Sequence, residues 1–144
     1  MTRLPMLCAV AACGPGTAHP ADFSACRAED SAPYSVGGAD TGGATEDVRV
    51  DGDTLSVMLG HSGGCGDHWY ALCWPDRSFL ESDPVQANLE VYHGSNDGCD
   101  AYFFETVPFD LSPLRRKWRL AYGDENGTIL LQVAGAPDAL TYDF

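Results

Sequence analysis

The chain has 144 residues, with 21 Asp+Glu against 8 Lys+Arg and a formal net charge of −13. One domain is expected at this length, and the acidic balance argues against DNA or RNA as the main partner, since phosphate binding needs a cationic footprint. A hydrophobic fraction of 44% argues against wholesale disorder, and no apolar run approaches the roughly 18 residues of a membrane-spanning helix.

Residues 1–12 place Arg3 before a short apolar stretch that ends in small residues, the layout of an export signal. Val10-Ala11-Ala12-Cys13 resembles a bacterial lipoprotein box. That resemblance implies signal removal after residue 12, a diacylglycerol on the Cys13 sulfur and an acyl chain such as palmitate on its amine. Several chains hold a membrane stably where one does not, so the membrane is an expected partner. Gly14, rather than Asp, after the cysteine leans toward the outer membrane. The expected location is the bacterial cell envelope, facing the periplasm or the cell surface. An ordinary secretory signal, cut after Ala11, is the alternative and gives a secreted protein.

Residues 13–44 are rich in Gly, Ala, Pro, Ser and Thr, without helical or strand period. They read as the lipidated terminus and a flexible tether, ahead of a domain over 45–144. Beyond Cys13 lie Cys26, Cys65, Cys73 and Cys99. An even number in an exported chain reads as disulfides. Four thiols allow three pairings, and the sequence does not choose. A cysteine in a tether usually has a partner, and Cys73 is the one expected for Cys26, which would pin the tether against the domain.

From residue 45 the chain turns to short alternating runs. Val48 and Val50 flank Arg49, and Asp51-Gly52-Asp53 turns. Leu55, Val57 and Leu59 alternate with Ser56 and Met58. Residues 69–74 are apolar on both faces, 87–93 alternate, and 101–107 are aromatic and β-branched. Trp118, Leu120 and Tyr122 alternate as a strand would. Asn126-Gly127 gives a hairpin signal before 128–133. No window shows a 3.6 period. About seven short strands predict an all-β fold, an antiparallel β-sandwich.

Two glycine-rich loops carry the candidate chemistry: residues 61–68, with His61, Cys65 and His68, and residues 93–100, with His93 and Cys99. If successive strands run up and down, both loops crown one end. Side chains alternate between faces along a strand. His61 therefore shares parity with Leu55, Val57 and Leu59, His93 with Leu89 and Val91, and His68 with Leu72 and Trp74. All three rings are expected to point inward at the rim. In an oxidising compartment the default is a Cys65–Cys99 disulfide with histidines capping the core. The alternative is a zinc or copper site of Cys65, His68, His93 and Cys99, with His61 nearby. A combination keeps the disulfide and leaves the metal to His61, His68 and His93.

Weaker features have bland readings. Gly60-His61-Ser62-Gly63-Gly64 matches a nucleophile elbow, which requires a strand-to-helix turn, whereas a strand is expected next. No catalytic residue is assigned and the protein is read as a non-enzyme. Residues 115–119 hold Arg115, Arg116, Lys117 and Arg119 around Trp118; they read as solvated charges flanking a core residue rather than a lipid-headgroup patch. Asp51, Asp53, Asp97 and Asp100 read as turn chemistry rather than calcium ligands.

The segments Ser62-Gly63-Gly64-Cys65-x-x-His68, His93 to Cys99, and Phe109-Asp110-Leu111-Ser112-Pro113-Leu114 resemble a pattern in small bacterial envelope lipoproteins and the NigD-like β-sandwich domain. The resemblance spans about residues 45–135. It implies a β-sandwich in the cell envelope and supplies no catalytic residue. The function expected is a lipid-anchored binding or structural module of unknown ligand, with a periplasmic zinc- or copper-binding protein as alternative.

Overall fold

The computed structural model describes residues 48–144 and the backbone of two short strands, β1 (His19–Pro20) and β2 (Ala32–Tyr34). Cys13, Cys26 and the signal segment lie outside the described residues, and with them the lipidation and the Cys26–Cys73 pairing. Within 13–44, β1 and β2 are laid against the sheets by backbone pairing, β1 on β7 and β2 on β6.

The domain is all-β with one helix. β3 (Val48–Asp51) and β4 (Thr54–Gly63) form a hairpin through Gly52, whose φ of +54° suits glycine. β5 (His68–Cys73), β6 (Val85–Ser95), β7 (Ala101–Asp110), β8 (Thr128–Val133) and β9 (Leu140–Asp143) follow. One sheet has the order β1-β7-β4-β3; the other has β2-β6-β8-β9, with β5 also on β6. Most pairs are antiparallel, but β6–β8 and β1–β7 are parallel. Strand β9, with fully buried Tyr142, extends the second sheet beyond the elements expected.

Leu55, Val57, Leu59, Val107 and Phe109 from the first sheet meet Leu72, Leu89, Val91, Ile129 and Leu131 from the second in one core. The alternation in β4 is the cause. Residues 55, 57 and 59 are buried, while 56 and 58 face out. The register aligns Gly63 with Ala101 at one end of the β4–β7 pair and Thr54 with Asp110 at the other. The β4–β5 and β6–β7 loops therefore share one end, as the up-and-down reading required.

Two expectations are corrected at the opposite end. Residues 112–122 form a helix, α1 (Ser112–Tyr122), where the alternation of Trp118, Leu120 and Tyr122 reads as a strand. The buried residues Leu111, Leu114 and Trp118 are spaced by three and four, a helical face. Leu120, in the same strand pattern, is 88% exposed. Pro113 lies in the first turn, where its missing N–H costs nothing, and Gly123 closes the helix at φ +78° with its N–H bonded to the Arg119 carbonyl. Asn126-Gly127 is not a hairpin turn either. It leads from α1 into β8, and the Gly127 and Phe144 backbones bond reciprocally. A Cβ on Gly127 would lie 2.4 Å from Trp118 Cζ2, so glycine here seats the indole.

The cations of 115–119 are held locally. Arg115 pairs with Asp53 at 2.5 Å, Lys117 lies over Trp74 at 5.0 Å and Arg119 over Phe144 at 5.7 Å. Asp53 also accepts the Tyr142 hydroxyl at 2.6 Å. Burial, and then that bond to Asp53, hold the phenol well above its ordinary range. Among the described residues no helix is long and apolar enough to cross a membrane.

Candidate metal centre at the crown

Cys65 and Cys99 are joined in a disulfide across the two crown loops, with Cα atoms 5.9 Å apart. Backbone and side chains reinforce it. Asn96 N–H donates to the Asp67 carbonyl, and the Asn96 side-chain oxygen accepts the Asp67 N–H at 2.7 Å. The Asp97 carboxylate takes the N–H groups of Gly64, Cys65 and Cys99. The second loop thus grips the first through sulfur, amide and carboxylate together. Asp97, read from sequence as turn chemistry, is the centre of this grip.

Below the staple, three imidazoles converge between the sheets. His61 comes from β4, His68 from β5 and His93 from β6. Ring centroids are 4.4 Å apart for His61–His68, 4.3 Å for His61–His93 and 5.3 Å for His68–His93. One nitrogen from each ring lies within 4.8 Å of the others. This is the inward convergence that strand parity predicted; His61 is only 7% exposed.

The neighbours follow from register. Tyr70 stands directly opposite His93 and stacks on it at 5.1 Å. Phe103 stands opposite His61 and meets its ring edge-on at 4.4 Å. Glu105, two residues farther along β7, shares that inward face. His61 Nε2 lies 2.7 Å from the Tyr70 hydroxyl and 3.1 Å from Glu105 Oε1, and the Tyr70 hydroxyl donates to Glu105. His68 Nε2 lies 3.1 Å from Asp97 Oδ2, while its Nδ1 lies 3.0 Å from His93 Nε2. Tyr70, Phe103 and Glu105 were missed in the sequence. Glu105 had a signal, a carboxylate at inward parity two residues before Val107.

The electrostatics favour bare nitrogen. Burial first, then repulsion from His61 and His68, bring the His93 imidazole down to about 4. A ring that resists protonation keeps a lone pair to offer at neutral pH. The Cys99 amide and then other donors, Cys65 N–H and His68 among them, hold Asp97 well below the usual carboxylate range against the opposing effect of desolvation.

The four-ligand set of Cys65, His68, His93 and Cys99 is corrected. Both sulfurs are spent on each other, and a disulfide sulfur is not the thiolate that zinc takes. The donors brought together are His61, His68 and His93. Cys73 is buried at the end of β5. The Gly-x-Ser-x-Gly match runs from the end of β4 one residue into the β4–β5 loop and is followed by β5, so it lacks the helix of an elbow.

Comparison with protein-family models, with curated proteins and with solved structures returns no match.

Proposed function

We propose that the protein is an envelope-anchored binding module whose crown takes one transition-metal ion, zinc or copper, on His61, His68 and His93. The observation that carries the reading is the convergence of three imidazoles from both sheets beneath a loop-to-loop disulfide. Three histidines brought together put three nitrogen donors in one place. A structural cap needs one ring with a hydrogen-bond partner, not three rings facing each other. Imidazole nitrogen suits zinc and copper, and copper binds most tightly of the first-row divalent ions on a given nitrogen set.

The envelope part of the proposal rests on the export-signal layout and the lipoprotein-box resemblance at Val10–Cys13, with the NigD-like resemblance beside it. The disulfide fits an oxidising compartment. No catalysis is assigned. Secretion without the lipid is the second reading of the same segment, and Cys13→Ser separates them. The substitution releases a lipoprotein from the membrane fraction and leaves a plainly secreted protein where it was.

The test of the metal reading is calorimetric titration of the oxidised, chelator-treated protein with zinc and, separately, copper. One ion per chain is expected, with binding weakened at least tenfold in His68→Gln and in His93→Gln. Heat indistinguishable from dilution for both metals overturns the reading.

A further inference from the structure

We propose that Asp97 is the positioning residue of the histidine cluster, taking the Nε2–H of His68 so that the Nδ1 lone pair of His68 is the one presented to the ion. The inference rests on the metal-binding reading above and goes on to name the ligand atom and the group that selects it.

The argument begins with what an ionised carboxylate can do. It only accepts hydrogen bonds. Asp97 Oδ2 is 3.1 Å from His68 Nε2, so that nitrogen carries the proton. A neutral imidazole has one N–H, which leaves the lone pair on Nδ1. That nitrogen faces His93 Nε2 at 3.0 Å. Two zinc–nitrogen bonds of about 2.0–2.1 Å at a tetrahedral angle place their nitrogens about 3.3 Å apart. The pair is therefore within a few tenths of an ångström of the spacing a shared ion needs.

In the metal-free chain His93 Nε2–H donates to His68 Nδ1. When an ion takes both lone pairs, His93 gives up its Nε2 proton to solvent and takes one on Nδ1. The ring stays neutral, and the exchange is proton-balanced.

The surroundings are built around this pair. The Asp97 side chain has no solvent-accessible surface, and His68 keeps 11% of its own. Gly63 sits against both. A Cβ there would lie 2.6 Å from Asp97 Oδ2 and 2.6 Å from His68 Nε2, and its φ of +151° is one that side chains rarely adopt. Glycine leaves the room in which carboxylate and ring meet. The amides of Cys65 and Cys99 hold the same carboxylate. The disulfide therefore aims the ligand by fixing Asp97, without its sulfurs touching the ion. A carboxylate behind a ligating histidine fixes its tautomer and raises its basicity, and losing one typically weakens metal binding 10–100-fold, roughly.

Two measurements test this. Long-range ¹H–¹⁵N spectra of the metal-free wild-type protein report which His68 nitrogen is protonated. The expected result is Nε2–H with bare Nδ1; a proton on Nδ1, or an even tautomer mixture, overturns the proposal. Zinc titration of Asp97→Asn is expected to show affinity lowered about 10–100-fold, with Asp97→Glu recovering part of it. Unchanged zinc affinity in a folded Asp97→Asn protein also overturns it. If that variant does not fold, the wild-type spectrum decides. If the wild-type chain binds no zinc or copper, the metal-binding reading fails, and the ion-presenting role of Asp97 fails with it. A wrong tautomer or an unaffected variant removes Asp97 alone.

Discussion

The two ends of the sandwich each gather polar groups around one aspartate, and they do so to different effect. At the helix end, Asp53 meets Arg115, a permanent cation, and the hydroxyl of Tyr142. Charge is matched by charge. At the crown, Asp97 meets backbone amides and the His68 ring, and behind that ring stand two more imidazoles. The first arrangement is complete as it stands. The second gathers three imidazoles from both sheets, with one nitrogen of each within 4.8 Å of the others. The contrast separates a part that holds the fold from the part proposed here as the site.

The comparison breaks first at the helix end. Trp118→Ala removes the indole seated on Gly127 and is expected to cost about 3–5 kcal/mol. Denaturant melts would show it. Metal uptake by the fraction still folded should be unchanged, because the helix begins at the opposite end from the crown. A loss of uptake would mean that the two ends are not independent.

At the crown, replacing both Cys65 and Cys99 by serine opens a loop closed across 34 residues. The entropic model gives about 3–4 kcal/mol of lost stability. Here stability and metal affinity should fall together, the opposite pattern from Trp118→Ala. A double variant that melts lower but binds metal as before would detach the staple from the site.

Acid sharpens the contrast further. His93 is neutral in the fold down to about 4, against an ordinary value near 6.5. Between those values the unfolded chain binds the extra proton, so stability falls as pH falls through that window and is fully present above it. The contribution is on the order of 1–2 kcal/mol once solvent screening is allowed for. Asp97 acts in the same direction at lower pH, since its carboxyl is held below the ordinary range. Melts of the metal-free protein at pH 7, 5.5 and 4 should show a progressive loss that His93→Gln reduces. The smallest effect belongs to Leu120. At 88% exposure, Leu120→Gln should change stability by no more than about 0.5 kcal/mol, whereas a strand residue facing the core would cost several times that.

The same contrast marks what could be read in the sequence. Strand parity placed His61, His68 and His93 on one inward rim, because a period of two survives wherever one face is buried and the other wet. Loop parity brought Cys65 to Cys99 for the same reason. The helix escaped because its apolar stripe is only Leu111, Leu114 and Trp118, while Leu120 and Tyr122 added a false alternation. Asp97 and Glu105 could be located but not given partners. Their roles depend on which elements lie side by side: Glu105 reaches His61 of β4 and Tyr70 of β5, and Asp97 reaches the β4–β5 loop and His68, long-range choices that no local pattern encodes. Gly63 and Gly127 looked like turn residues, yet each is small because a neighbour from elsewhere in the chain, His68 with Asp97 or Trp118, occupies the space.

The most direct test is zinc bound per chain, measured by elemental analysis after gel filtration, on the oxidised protein and on the reduced, alkylated protein. The account predicts one zinc on the oxidised chain and much less on the alkylated one, since the staple is proposed to aim His68 through Asp97 without lending its sulfurs. No zinc on the oxidised chain, or equal loading of both forms, would contradict it.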